Sequence, residues 1–325
     1  MAQFHSLLNF ESGENRAIMV NNVEFYKEMN VLTFLRDVGK TLTVNYMLAK
    51  DSVKNRLDKG ISFTEFSYQL LQAYDFLCLY RDKNCLIQMG GSDQWGNITS
   101  GTEFIRRHVG VKAYAITTPL LTKADGSKFG KSTEGNIWLD PNMTSPYKFY
   151  QFWINSDDRD IGRFLRYFSF RKQDEIEALE AEFKDDLQQL KKVLAEEITR
   201  RIHGNENYEA VMTVSELLFN RKADRSFLEK INSKQWRAVA DEIPSHQVSK
   251  SVFSAGINVV DFLAETTSIV GSKGDARRAI KGNAISINKV KISDFEAVID
   301  QHQLLHGQYL MIENGKKNKY LVEAI

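Results

Sequence analysis

Apolar residues recur at helical and strand spacings in separate blocks along the chain. Residues 1–26 show no clear period. Asn30 has N-cap chemistry and opens a short apolar helix through Val31, Leu32, Phe34, Leu35 and Val38, which Gly39 closes. A second helix is predicted from about Val44 to Lys59, with Gly60 as its stop. Ser62-Phe63-Thr64-Glu65 reads as a capping box. The helix it opens runs through Tyr80 and is apolar nearly all round (Phe66, Leu70, Leu71, Ala73, Phe76, Leu77), the pattern of a buried helix. Residues 85–89 form a short apolar strand ending in Gly90-Gly91, and a helix follows from about Trp95 to Arg107. Another strand covers 113–121, and Asp125-Gly126 is a turn signal. Strands alternating with helices predict parallel α/β architecture to about residue 140.

From Pro146 the pattern becomes helical. Asp174 and Glu177 start a run in which Ile176, Leu179, Phe183, Leu187, Leu190, Leu194, Ile198 and Ile202 keep a three-or-four spacing up to Gly204. One long helix or two with a break near Asp185-Asp186 both fit. Residues 220–251 are weakly patterned and read as containing a linker. Beyond them come a helix around 274–281 and short strands such as 284–287 and 309–312. The division expected is 1–145, 146–235 and 236–325.

Three groups of residues carry possible chemistry. Tyr68, Gln72 and Asp75 fall at i, i+4 and i+7 and so share one helix face. Such a polar stripe either pairs internally or meets a ligand. Gly90-Gly91-Ser92-Asp93-Gln94 follows a strand, where open α/β sheets bind ligands, although a tight turn needs the same glycines. Lys128-Phe129-Gly130-Lys131-Ser132 places two lysines three apart on a glycine-bearing loop, suited to phosphate charge or simply to solvent. The spacing is not that of a P-loop.

Charge and cysteine content narrow the setting. Lysine plus arginine number 43 against 42 acids, so no global field favours nucleic acid or membrane. Residues 271–291 nevertheless hold Lys273, Arg277, Arg278, Lys281, Lys289 and Lys291 against the single acid Asp275. Two cysteines in 325 residues fit a reducing, cytoplasmic compartment. No apolar run is long enough to span a bilayer, and the six scattered histidines offer no metal site.

Together the three groups resemble the class I aminoacyl-tRNA synthetases, in the form typical of bacterial tyrosyl enzymes. The loop 128–132 is similar to their K-F-G-K-[ST] signature; the strings 90–97 and Phe149-Tyr150-Gln151-Phe152-Trp153 extend the likeness along the chain. The resemblance implies an incomplete Rossmann-like catalytic domain, an α-helical domain contacting the anticodon arm, and a small α+β RNA-binding domain. It implies that Asp75 accepts from the tyrosine phenol, that Tyr68 and Gln72 hold the ammonium group, and that Gly91 and Asp93 meet the ATP ribose. Gln94 would lie near the reacting carboxylate, Lys128 and Lys131 would stabilise departing pyrophosphate, and Ser132 would shape the loop. Lys273, Arg277, Arg278 and Lys281 would bind RNA. Partners implied are tyrosine, tRNA-Tyr, ATP with Mg2+ and a second copy at an interface that includes Phe63; no tightly bound cofactor is implied. One departure stands out. No two of His5, His108, His203, His246, His302 and His306 have the H-x-G-H spacing that the class uses at ATP phosphates. The chain is therefore expected to begin part-way through its catalytic domain and to have little adenylation activity alone, which leaves open an RNA-binding module without catalysis.

Overall fold

The computed structural model describes residues 2–325 apart from Ser6, Lys128, Thr133, Glu134 and Arg221; for Ala2, Lys131 and Ser132 it describes the backbone alone. The chain divides into two compact units, Phe10–Phe129 and a second comprising Met1–Asn9 with Gly130–Ile325.

In the first unit the Asn30 side chain accepts from the Thr33 N–H at 3.0 Å, capping a helix over Val31–Phe34 that continues as a π turn to Gly39. The helix predicted over 44–59 is broken into Val44–Leu48, Asp51–Lys54 and a 3-10 turn at Leu57–Lys59. Only Met47 and Val53 of this stretch are buried, too few to hold a continuous helical face. Lys50 is extended at the break, and its ammonium reaches the Thr99 hydroxyl at 3.1 Å.

Helix α1 (Phe63–Lys83) starts where Ser62 accepts from the Glu65 N–H at 3.1 Å. The Glu65 carboxylate pairs with Arg56. The expectation of a wholly buried helix is corrected: Gln69, Ala73, Phe76 and Leu77 are buried, whereas Phe63 and Tyr68 are exposed. Strand β1 (Ile87–Gly91) leads through a 3-10 turn into α2 (Trp95–Val109), and β2 (Tyr114–Thr118) returns parallel to β1. Phe76, Leu77, Phe104 and Ile105 join α1 and α2 in one core with Met47 and Val38. A Cβ at Gly101 would lie 2.8 Å from Phe76, so glycine sets how closely the two helices approach. Ile87 and Met89 stand in register with Tyr114 and Ile116, and all four are exposed, Met89 at 70%.

The second unit begins with a short hairpin, β3 (Lys131–Ser132) antiparallel to β4 (Gly135–Asn136). Helices α3 (Pro146–Ile154), α4 (Ile161–Phe168), α5 (Gln173–Glu182) and α6 (Leu187–Phe219) follow. The two-helix alternative holds, with Asp186 capping α6 through the Gln189 N–H. Gly204 (φ 82°, ψ 165°) kinks α6 where the periodic run ended. Within the weakly patterned 220–251 lie a turn of helix at Arg225–Leu228, α7 (Ser233–Glu242) and β5 (Ser245–Val248), with Trp236 fully buried.

Helix α8 (Lys273–Lys281) and strands β6 (Ile285–Ile287), β7 (Val290–Lys291), β8 (Tyr309–Asn314) and β9 (Asn318–Ala324) complete the unit. The sheet order is β5-β9-β8-β6-β7, with β5 parallel to β9 and the other pairs antiparallel. Trp236 stacks on Tyr309 with centroids 5.3 Å apart, so helices and sheet share a core that also takes in Val214, Leu217 and Leu321.

Candidate active site

Helical spacing carries the α1 stripe out of the core. Tyr68 is 54% exposed, while Gln72 and Asp75 are half-buried on the same face. The Asp75 carboxylate accepts at Oδ1 from the Tyr26 phenol at 2.7 Å and at Oδ2 from the Asn22 amide at 2.9 Å. Tyr26 Oη also lies 3.0 Å from the Leu71 carbonyl oxygen, and its ring packs against Tyr74 with centroids 5.6 Å apart. Burial raises the Asp75 carboxyl above its usual value, and the Tyr26 and Asn22 donors act against that rise. Burial, followed by the bond to Asp75, pushes the Tyr26 phenol upward and keeps it a donor. A carboxylate accepts about four hydrogen bonds, so this one, with two donors in place, keeps capacity for a further hydroxyl. Asn22 and Tyr26 were missed in the sequence because they lie in the unpatterned N-terminal stretch. They sit 53 and 49 residues from Asp75, and no local spacing signals the pairing.

At the carboxyl end of β1 the backbone turns sharply. A Cβ at Gly91 would meet Asp93 Oδ1 at 2.6 Å and Leu120 at 3.1 Å, so only glycine lets the carboxylate fold back over the turn. Asp93 is exposed, and its Oδ2 accepts from the Gln94 amide at 3.0 Å. Gln94 Oε1 accepts in turn from Asn97 at 3.3 Å. An acceptor held beside open backbone at the end of a parallel strand suits ribose hydroxyls.

Tyr68, Gln72, Asp75, Gly91, Asp93 and Gln94 all belong to the first compact unit. Of the lysine loop, Lys128 lies outside the described residues, and so do the side chains of Lys131 and Ser132. Their surroundings show how the segment is shaped. Ser127 N–H donates to Asp125 Oδ1 at 2.8 Å, Gly126 has φ 82°, and Lys131 and Ser132 pair with Asn136 and Gly135.

The basic C-terminal residues separate by contact. Lys273 pairs with Asp261 at 2.8 Å and Glu265 at 3.0 Å, Arg278 pairs with Asp275, and Lys289 joins Lys319 on Glu313. Arg277 and Lys281 are exposed on α8. Among the described residues no group of three or more histidines, cysteines or acids is placed to hold a metal ion.

Comparison with known proteins brings these features under one family. Residues 1–220 match the family model described as tRNA synthetases class I (W and Y). Residues 235–322 match the tyrosine–tRNA ligase SYY-like C-terminal domain. A tyrosine–tRNA ligase of Cytophaga hutchinsonii is 51% identical over 324 residues, which are 98% of this chain and 75% of the relative. The chain belongs to the tyrosine–tRNA ligase family. A second such ligase, from Bacteroides thetaiotaomicron, is 48% identical over 329 residues, covering 99% of this chain and 76% of that one. Among solved structures, a C-terminally truncated mitochondrial tyrosyl-tRNA synthetase of Coccidioides posadasii aligns with TM-score 0.50 and 32% identity. That alignment covers 59% of this chain and 56% of the other. The class I catalytic fold, the helical region and the sheet-containing C-terminal domain of this ligase family are thus all represented in the chain.

Proposed function

We infer that the chain serves the ATP-dependent activation of tyrosine and its transfer to tRNA-Tyr. The observation that carries this reading is Asp75: a half-buried carboxylate oriented by two donors and able to accept a third, on a stripe with Tyr68 and Gln72. A tyrosine phenol fills the remaining acceptor capacity of that carboxylate, whereas phenylalanine desolvates it without supplying the third donor, so discrimination follows from hydrogen bonding rather than size. Tyr68 and Gln72 hold the ammonium group, Gly91 and Asp93 receive the ribose, and Gln94 lies by the carboxylate.

In the first step a tyrosine carboxylate oxygen forms a bond to the α-phosphorus of ATP as the bond to the β-phosphate bridge breaks, releasing pyrophosphate. Lys128 and Lys131 neutralise charge on that leaving group, on a loop that Ser132 shapes. In the second, a hydroxyl of the 3′-terminal ribose of tRNA attacks the tyrosyl carbonyl and AMP departs. Mg2+ enters with the ATP phosphates. Lys273, Arg277, Arg278 and Lys281 form the RNA-facing set, with exposed Arg277 and Lys281 at its centre. The functional segments assigned are 1–145, 146–235 and 236–325. Both cysteines are free, in keeping with a cytoplasmic setting, and no helix among the described residues is long and apolar enough to cross a membrane. A homodimer formed through the α1 face around exposed Phe63 completes the proposal.

Equilibrium binding tests the site without requiring chemistry. Tyrosine should bind the 325-residue chain and phenylalanine should not; equal binding of the two removes the assignment. The absent H-x-G-H spacing favours a second reading, RNA binding without adenylation. Tyrosine-dependent ATP–pyrophosphate exchange by this chain, expected to be very slow, would exclude that reading if rapid.

A further inference from the structure

Gln69 is 1% exposed, an amide inside the apolar core that joins α1 to α2, and it meets a second polar group there, the fully buried Ser100 of α2. Its Nε2 donates to the Met47 carbonyl oxygen at 3.3 Å, and its Oε1 lies 3.3 Å from the Ser100 hydroxyl. That hydroxyl also lies 2.7 Å from the Gly96 carbonyl oxygen, so its one proton serves both α1 and the opening turn of α2. Three segments therefore meet at this amide: α1, the short helix Val44–Leu48 and α2. The chain around it is closely fitted. A Cβ at Gly96 would lie 2.9 Å from Ser52 Oγ, and Lys50 holds the Thr99 hydroxyl at 3.1 Å.

Apolar side chains of the same shape would hold these helices together as well, because a buried hydrogen bond gains little net over the water it replaces. Hydrogen bonds are directional, however, and dispersion contacts are not, so the polar pair adds a single register between the helices. The two helices carry different halves of the candidate site. Tyr68, Gln72 and Asp75 stand on α1 beside Gln69, whereas Gln94 and Asn97, bonded to each other, bracket Gly96 directly after Gly91 and Asp93.

We propose that Gln69 is a positioning residue that, through Ser100, holds the tyrosine-binding stripe of α1 at one separation from the nucleotide-binding turn that opens α2. It touches neither ligand. This role rests on the tyrosine-activation reading and is felt only when both halves of the site are filled. A ligand in one half tolerates slight sliding of the helices, whereas one that spans both must find them in register.

Calorimetry on the full 325-residue chain separates the two cases, with tyrosine and a non-hydrolysable sulfamoyl analogue of tyrosyl-adenylate as probes. Gln69→Met keeps the side-chain length and removes the amide, and the Met47 carbonyl retains the Lys50 N–H at 3.3 Å. Tyrosine affinity should stay within about twofold, while the analogue's advantage over tyrosine falls by about 3- to 10-fold, the worth of one neutral hydrogen bond. Adding Ser100→Ala removes the hydroxyl left without Gln69, so the melting temperature should return to that of the parent while the advantage stays reduced. An unchanged advantage in Gln69→Met overturns the role, as does an advantage that returns with the melting temperature in the double variant. So does an equal loss for both probes, or an analogue that binds the parent no more tightly than tyrosine. If the parent binds neither probe, the tyrosine-activation reading itself falls.

Discussion

With two donors already on Asp75, the third hydrogen bond is where substrate binding should be felt. Asp75→Ala should lower tyrosine affinity, and kcat/KM in any form that turns over, by about 1.5–3 kcal/mol, the worth of a hydrogen bond to a charged group. An unchanged affinity measured by calorimetry would take Asp75 out of the site. Tyr26 sharpens the test. Its phenol lowers the Asp75 carboxyl against the upward pull of burial, so Tyr26→Phe should let that carboxyl rise. Tyrosine binding requires the ionised form and is present above this pKa, so its acid limb should move to higher pH. Titration of tyrosine affinity between pH 4 and 8 reads the shift, and superimposable profiles would deny Tyr26 the role. Tyr68, Gln72 and Asp75 were legible in the sequence because helical spacing is local. Asn22 and Tyr26 were not, because a hydrogen bond across some fifty residues leaves no periodic trace.

Helices show how packing overrides pattern. Gly101 sits where α1 and α2 cross, and an added methyl would press on Phe76 at its Cβ and ring, neither of which can swing aside. Gly101→Ala gains roughly 1 kcal/mol of helix propensity but overpacks a core contact that typically costs about 1–3 kcal/mol. A net fall in the urea midpoint is expected, and a rise would show that the helices can separate freely. On α6, burial holds the imidazole of His203 down to about 4, beside the Phe149 ring with centroids 4.8 Å apart. The folded state therefore prefers the neutral ring. Its stability is fully present above the ordinary histidine range, falls as pH drops from about 6.5 to about 4, and levels off below. Melting temperatures of His203→Gln, compared with the parent over that window, should lack this component of the slope.

Exposed apolar surface governs the behaviour of the molecule as a whole. Parallel sheets normally bury both faces, yet Ile87, Met89, Tyr114 and Ile116 leave one face of β1 and β2 open to solvent. Met89→Lys together with Ile116→Lys should reduce binding of a hydrophobic dye and sharpen the sedimentation boundary without lowering helix content. No change in either would mean that this face is not the sticky one. The C-terminal charges predict a second global property, RNA affinity that falls steeply with salt. Removing the exposed Arg277 as Ala should shallow that dependence by about one phosphate contact, whereas Lys273→Ala, already paired with Asp261 and Glu265, should matter less.

The sequence by itself determined the helix–strand–helix–strand order from Phe63 to Thr118, the caps at Asn30 and Ser62, the family signatures and the polar stripe on α1. All of these depend on residues within a turn or two of one another. Only the tertiary structure decided that 44–59 breaks, that 220–251 packs Trp236 into a core shared with the C-terminal sheet, and that Lys273 and Lys289 are occupied by acids. It also decided that Tyr26 and Asn22 orient Asp75 and that Gln69 meets Ser100 between α1 and α2. The reason is common to all of them: burial and hydrogen-bond partnership depend on what the distant chain brings near, and amino-acid spacing records only what is close along it.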